Sequence, residues 1–440
     1  MTGRPATGAV ARGILALAAP TTVLSLLQAA AVLVETVIAA RLGREALAGY
    51  AVVLPFTLLL GQMSAGAMGG GVVSAIARAL GAKRPEEASA MVLHALTIAM
   101  LFAAAFITAM VVFPRTILTA IGGPEAAAQG VPYAIAFFGL GAVPAWLANT
   151  LASVLRGAGR HALAARINSM AWLVFPGLGW LLAEPLALGM AGLGLGFGIA
   201  MWGAALVMGW VVMSGAAGFR PSLRVPFQLV LFKRILAVGA VACALATVAN
   251  LTTILVTAQL KSYGPVAVAA YGVSARLEFL MIPLAFGVGS ALTALVGRAV
   301  GGGDWELARR TAWVGGGMAF AVCAVVGVSV ALAPQHFAGF FASDAEVQAI
   351  AGQALGIIGP AFAGFGLGMA MYFASMGAGR MRWPVAAGLS RLAIAVLGGA
   401  FLGEAMEMGL PGHFLAVALG ITAYGVIAAA GVRRGVWSKK

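Results

Sequence analysis

Residues 157–160 read Gly-Ala-Gly-Arg, and the same four residues return at 377–380. Other matches on both sides of this segment keep nearly the same offset, since Ile14-Leu15-Ala16 returns at 235–237 and Tyr50 returns as Tyr271. The offset changes by only one residue over about two-thirds of each half. The sequence therefore predicts a chain made of two halves with the same fold.

The composition indicates a membrane protein. Apolar residues make up 62% of the chain, charged residues only 9%, and the mean hydropathy is +1.01. A soluble domain carries about 25% charged residues, and one bilayer span needs roughly 20 apolar residues. We therefore predict an all-α integral membrane protein with 12 transmembrane helices. The predicted spans are 13–40, 47–76, 88–112, 126–155, 164–182, 191–214, 237–260, 267–297, 311–332, 346–375, 384–402 and 412–431.

The net charge of +14 is a topology signal and does not indicate nucleic-acid binding. On this span map all but six of the 27 Lys and Arg residues fall on the side of the two termini. The exceptions are Arg41, Arg44, Arg115 and Lys261 on the other side, and Arg276 and Arg391 deep within spans; Arg166, at the cytoplasmic end of its span, is counted with the loop before it. Cationic loops stay in the cytoplasm, so both termini are predicted inside a bacterial inner (plasma) membrane.

The lobe boundary is predicted at a basic loop interrupted by Pro221 and Pro226. We assign 1–218 to an N-terminal six-helix lobe, 219–234 to a cytoplasmic linker and 235–440 to a C-terminal six-helix lobe. Because each half has an even number of spans, the two six-helix bundles enter the membrane from the same side. A pseudo-two-fold axis along the membrane normal would relate them, with the substrate path at the seam.

Glu35 is the first of two acidic residues predicted to lie within spans. Carboxylates are costly inside a bilayer and generally face a cavity or a partner, and burial favours their neutral form. Gln28 lies two turns earlier on the same helix face, so Glu35 is expected to take up and release a proton there. Pro20, on the same span, is the candidate hinge. The alternatives are a carboxylate that reaches the outer headgroups and a static bend.

Asn149 and Asn168 are assigned to the same ion-coupling site in the first half. The second acidic residue, Glu278, is assigned to a substrate cavity in the second half, where Ser274 shares its helix face. Three polar residues of span 7 fall on one face and are placed with Glu278: Asn250, Thr253 and Thr257. Hydrogen bonding between helices is the open alternative for this set, and Arg391 is expected to extend to the cytoplasmic surface.

No pattern for other chemistry is found. The four histidines lack metal-ligand spacing, no ATP-binding loop is present, and both cysteines, Cys243 and Cys323, are expected to be packing residues. No metal, no cofactor and no enzymatic activity are predicted. Uphill transport would then have to use an ion gradient.

Five segments together resemble the multidrug and toxic compound extrusion (MATE) family. They are VETVIAARLGREALAGY (34–50), ARALGAKRPEEA (77–88), VLRGAGR (154–160), AAYGVSARLE (269–278) and GRAVGGGDWELA (297–308). The resemblance covers nearly the whole chain, and the order and spacing of the segments carry it. Arg78 and Arg298 stand where the family has Gln.

The resemblance implies a V-shaped pair of six-helix bundles that exchanges H⁺ or Na⁺ for cationic, amphipathic small molecules. Glu35 stands where the family has its membrane-embedded Asp of span 1, which keeps a proton site but lengthens the side chain by a methylene, and Pro20 matches the proline before it. The second acid that some members carry in span 5 would fall near Phe175-Pro176 and is missing. H⁺ is therefore the predicted coupling ion, with Na⁺ second.

The expected function is multidrug efflux by a monomeric secondary antiporter working by alternating access. A lipid-linked oligosaccharide flippase of the same superfamily is the alternative; it would need cations for a pyrophosphate, and only Arg276 and Arg391 lie deep within spans. An intramembrane enzyme would need catalytic clusters that the sequence does not show. A channel fits the asymmetric placement of Glu35 and Glu278 less well.

Overall fold

The computed structural model describes residues 6–433 and 437, and these form helices joined by short turns without a β-strand. The long helices are α1 Thr7–Arg41, α2 Arg44–Gly81, α3 Pro85–Val112, α4 Pro114–Gly157, α5 His161–Ala183, α6 Gly189–Met213, α7 Leu229–Tyr263, α8 Pro265–Gly301, α9 Trp305–Leu332, α10 Ala345–Ala378, α11 Arg382–Ala405 and α12 Leu410–Ala430. A short helix, Pro334–Phe341, precedes α10.

Eleven of the long helices among the described residues are long and apolar enough to span a membrane. The remaining one, α5, has 23 residues, but Arg166, Asn168 and Pro176 interrupt its apolar stretch. It coincides with the predicted span 164–182. The chain is therefore an all-α, multi-pass membrane protein, and the predicted fold class is confirmed. The prediction that both termini lie in the cytoplasm concerns residues 1–5, 434–436 and 438–440. These residues lie outside the described part of the chain, so it stays a prediction.

The internal repeat returns in the helix pattern. α4 begins at Pro114 and breaks at Gly123, which has a φ of 81° and separates a short first segment from the rest. At an offset of 220 residues the second half has the short helix starting at Pro334, followed by α10. Both long helices end at the repeated turn, where Gly159 and Gly379 adopt φ of 84° and 69°. Glycine is favoured there because other residues rarely adopt positive φ.

Two compact units contain all of the described residues. One consists of residues 20–240, and the other of the described residues of 1–19 and 241–440. The chain thus passes from one unit to the other within α1, between Ala19 and Pro20, and within α7, between Ala240 and Val241. The lobe limits proposed from the sequence, at 218, 219–234 and 235, stay a prediction.

The loop between α6 and α7 is held against α3 by side-chain contacts. Ser89 Oγ donates to the carbonyl oxygen of Arg220, at 2.9 Å, and accepts from the backbone N–H of Ser222, at 2.8 Å. His94 Nδ1 lies 2.8 Å from the Ala90 carbonyl oxygen, while its Nε2 accepts from the N–H of Gln228, at 2.8 Å. His94 of α3 therefore holds the end of this loop, just before α7, through its Nε2.

Candidate functional site

Glu35 is enclosed within the unit formed by residues 20–240. Only 3% of the residue is exposed, although it lies in the membrane-spanning helix α1. Tyr133 of α4 donates its hydroxyl to Glu35 Oε1 at 2.7 Å, and Tyr50 of α2 donates to Oε2 at 3.1 Å. Both tyrosines are buried, and their ring centroids lie 5.4 Å apart. The carboxyl group is thus held by three helices away from lipid and water.

Two glycines allow this arrangement. A Cβ placed on Gly49 would lie 2.5 Å from the backbone nitrogen of Gly130, and one on Gly130 would lie 2.8 Å from the Gly49 carbonyl oxygen. No side chain fits between α2 and α4 at this level. Tyr50 follows Gly49 directly and Tyr133 lies three residues after Gly130, so the close approach brings both hydroxyl groups to the same carboxylate.

The hydrogen bonds at Glu35 suit both of its protonation states. A tyrosine hydroxyl can donate or accept, because its hydrogen rotates about the C–O bond. When Glu35 is ionised, both tyrosines donate to it. When Glu35 is protonated, its own O–H can donate to one hydroxyl that has turned to accept. Within the described residues its hydrogen bonds come from these two hydroxyls, and no basic side chain pairs with it.

Gln28 is not one of the hydrogen-bond partners of Glu35, and its assignment to the ion-coupling site stays a prediction. The two residues share a face of α1 but lie two turns apart, about 10 Å along the axis. Gln28 is half-buried. The acid therefore takes its hydrogen bonds from neighbouring helices and not from its own.

Asn168 lies near the depth of Gln28, below Glu35. Two contacts show that α1 and α5 run parallel: the Thr21 hydroxyl lies 3.3 Å from His161 Nδ1, and Arg41 donates to Glu184 at 3.0 Å. Counting from the first contact puts Glu35 level with Phe175, and counting from the second puts it level with Leu178, so Asn168 is seven to ten residues lower. Asn168 is buried, but the structure does not bring it to the carboxylate.

Asn149 belongs to a different cluster. It lies sixteen residues after Tyr133 on α4, about 24 Å along the helix. Its amide donates to Ser64 Oγ at 2.9 Å, in a π-helical stretch of α2, Gln62–Ala67. Arg156 donates to the Ala65 carbonyl oxygen at 3.4 Å in the same stretch. Such stretches disturb the regular backbone bonding, and Asn149 bonds to one of them. The structure does not bring Asn149 to Glu35, and its assignment to the ion-coupling site stays a prediction.

The second intramembrane acid, Glu278 of α8, forms an ion pair with Arg391 of α11. The side chains of Glu278 and Arg391 are 15% and 10% exposed. The expectation that Arg391 extends to the surface is therefore wrong, because a buried carboxylate supplies the partner that water would otherwise provide. Arg276, two residues from Glu278, is exposed.

The polar residues of α7 do not join Glu278 through hydrogen bonds. The Asn250 amide donates to the carbonyl oxygen of Ala246 at 2.9 Å, and the Thr257 hydroxyl donates to that of Thr253 at 2.7 Å. Asn250, Thr253 and Thr257 are half-buried on the helix. These bonds satisfy polar groups within the helix itself, so the predicted pocket made with Glu278 stays a prediction.

Pro20 lies inside α1, and the helix is continuous across it. It is also the residue at which α1 passes from one compact unit to the other. Its role as a hinge stays a prediction. Cys243 and Cys323 are buried and are not joined in a disulfide, as expected for packing residues.

Comparison with known proteins places this arrangement in a family. The MatE family profile matches residues 20–181 and 240–401, which are corresponding parts of the two halves. None of the curated proteins is similar in sequence.

Several solved structures have a similar fold. A MOP superfamily transporter from Pyrococcus furiosus has a TM-score of 0.89 at 21% identity, covering 97% of this chain and 96% of that chain. A mutant of the Vibrio cholerae MATE transporter VcmN has a TM-score of 0.89 at 19% identity, covering 99% and 98%. An outward-facing multidrug resistance MATE family transporter has a TM-score of 0.88 at 20% identity, covering 97% and 96%.

At these identities the structural similarity shows the fold alone. The family profile, by contrast, matches most of the sequence and does so once in each half. This chain therefore belongs to the MatE family of transporters.

Proposed function

We propose that this transporter exports cationic, amphipathic small molecules across a bacterial inner membrane in exchange for protons, with Glu35 as the proton carrier. The observation that carries the proposal is the burial of Glu35 between two tyrosine hydroxyls without a cation. Its negative charge has no neighbour to neutralise it except a proton. Glu278 differs because Arg391 already neutralises it.

The transport cycle would use alternating access. Protonation shifts the balance between two conformations only if it stabilises one more than the other. The hydroxyls of Tyr50 and Tyr133 come from α2 and α4, while the acid belongs to α1. A change of proton occupancy at Glu35 therefore changes how strongly α1 is held to α2 and α4, and Pro20 is the place where α1 would bend.

Protons are preferred over Na⁺ because the enclosed carboxylate is already bonded to two hydroxyl groups and the residues of α5 level with it, 175–178, include no second carboxylate. We further propose that the protein is a monomer embedded in the lipid bilayer, with both termini in the cytoplasm. Its partners would be small molecules and not nucleic acid, and it would have no cofactor and no enzymatic activity. The flippase alternative has less support, because Arg391, one of two arginines considered for binding a pyrophosphate, is paired with Glu278.

The test is efflux of ethidium from proteoliposomes under an imposed pH gradient and, separately, a Na⁺ gradient. We expect the pH gradient to drive transport and Glu35→Gln to abolish that dependence. Glu184→Gln is the matched control, since that acid lies at the end of α5 in a pair with an exposed arginine. Transport that ignores both gradients would contradict the proposal and indicate a flippase or a channel. Gradient-driven transport by Glu35→Gln would remove Glu35 as the carrier.

A further inference from the structure

A basic cluster lies in the unit formed by residues 20–240, where the end of α2, the start of α3 and the first turns of α7 come together. Glu87 of α3 is at its centre. Arg84 Nη1 lies 3.5 Å from Glu87 Oε2, and Arg234 of α7 forms an ion pair with Oε1 of the same carboxylate. Arg78 of α2 is close enough for the charges of Arg234 and Glu87 to act on it. Three guanidinium groups therefore lie near one carboxylate.

The positive charge of this cluster is not balanced. Together the segments 78–87 and 233–234 contain five basic residues and two acidic ones. Arg78 is half-buried and donates no hydrogen bond to any of the described residues, although a guanidinium has five N–H donors. The side chains of Arg84 and Arg234 are 64% and 43% exposed, so donors that do not face Glu87 are accessible. The cluster can therefore bind an anion that has several acceptor oxygens.

Exposed apolar side chains accompany the basic ones where the chain enters α7. Phe227 is 63% exposed, Leu229 67% and Val230 59%. Val230 precedes Arg234 by four residues on α7, so the two lie on the same helix face. Exposed apolar residues next to arginine and lysine are typical of segments that lie at a membrane surface. A dissolved anion would use the charges alone, whereas a lipid would use both the charges and the apolar side chains.

We propose that Arg78, Arg84 and Arg234 bind the phosphate group of an anionic phospholipid whose acyl chains contact the apolar residues at the start of α7. The phosphate oxygens accept from guanidinium N–H groups, whose planar arrangement matches phosphate well. The cluster lies on the side of the membrane proposed above to be cytoplasmic, where anionic lipids attract basic residues next to membrane spans. The site is separate from Glu35 and depends neither on the exported compound nor on the coupling ion.

Calorimetric titration of the purified protein in detergent, without an ion gradient, tests the proposal. The probe is dioctanoyl-phosphatidylglycerol. Dioctanoyl-phosphatidylcholine has the same acyl chains but a phosphate whose charge is cancelled by its own choline, and inorganic phosphate has no acyl chains. We expect phosphatidylglycerol to bind about tenfold more tightly than either of the others. Equal affinity for phosphatidylcholine would indicate apolar contacts alone, and equal affinity for inorganic phosphate an anion site without a lipid; either result contradicts the proposal.

Arg78→Gln is the decisive variant, and because the family has Gln at this position, we expect the fold to accept it. It should weaken phosphatidylglycerol binding about fivefold, the usual contribution of one basic residue beside an anionic lipid, and leave phosphatidylcholine binding unchanged. Arg382→Gln is the matched control, since it removes the same charge from an exposed arginine of the other unit. If Arg78→Gln weakens binding no more than Arg382→Gln does, the lipid responds to net charge and not to this cluster, and the proposal is wrong.

Discussion

Replacing Tyr133 by Phe tests the centre of the proposed proton site. The substitution removes the hydroxyl that donates to Glu35 Oε1 at 2.7 Å and keeps the ring that packs against Phe137, with centroids 5.5 Å apart. A hydrogen bond to a charged group contributes about 1.5–3 kcal/mol to stability, and one between neutral groups about 0.5–1.5 kcal/mol. The distance of 2.7 Å is typical of an O–H···O bond to either a neutral or an ionised carboxyl group.

A double-mutant cycle isolates this contribution. The four proteins are the wild type, Tyr133→Phe, Glu35→Leu, which has no hydrogen-bond acceptor, and the double variant, and the quantity measured is the free energy of unfolding in detergent. We expect a coupling energy of about 1–2 kcal/mol between the two positions. Tyr50→Phe with Glu35→Leu should give a smaller coupling because its bond is longer, at 3.1 Å.

The control cycle pairs Tyr133→Phe with Glu184→Gln and should be additive, because independent sites add within about 0.3–0.5 kcal/mol. A coupling between Tyr133 and Glu35 no larger than in this control would refute the site as described. The carboxyl group would then not be bonded to Tyr133 in the protein, and the reason for assigning it the proton would be lost.

Three further outcomes follow from other contacts. Gly49→Val should destabilise the protein by about 1–3 kcal/mol because its side chain would overlap the backbone of Gly130, and unchanged thermal unfolding would contradict that packing. Arg41→Ala should change stability by less than about 1 kcal/mol, since Arg41 is 63% exposed in its pair with Glu184; a larger loss would mean that this pair is stronger than surface pairs usually are. His94→Leu should release the loop after α6 from α3 and speed its cleavage by trypsin, whereas an unchanged cleavage rate would show that the loop is held by other contacts.

The repeat made the helix pattern predictable from the sequence. Pro114 and Pro334, or Gly159 and Gly379, stand in corresponding places because both halves use the same turns. The burial of Glu35 was also predictable, because apolar residues surround it in α1. These features depend on spacing along the chain, which the sequence contains directly.

The partners of the two acids were not predictable in the same way. Tyr133 lies 98 residues from Glu35, and Arg391 lies 113 residues from Glu278. Helical periodicity tells which residues share a face but not which faces meet. Two signals were nevertheless present: Gly49 and Gly130 mark places where helices can touch, and opposite charges at membrane depth usually pair.

The passage of the chain between its two compact units has a mechanical consequence. Both crossings, at Ala19–Pro20 and Ala240–Val241, lie inside long helices and at corresponding positions of the repeat. The loop after α6 does not form a flexible connection between the units, because hydrogen bonds hold it against α3 within one unit. A flexible insert that lengthens this loop should therefore leave both crossings unchanged, because the described chain passes between the units within α1 and α7 and not in the loop.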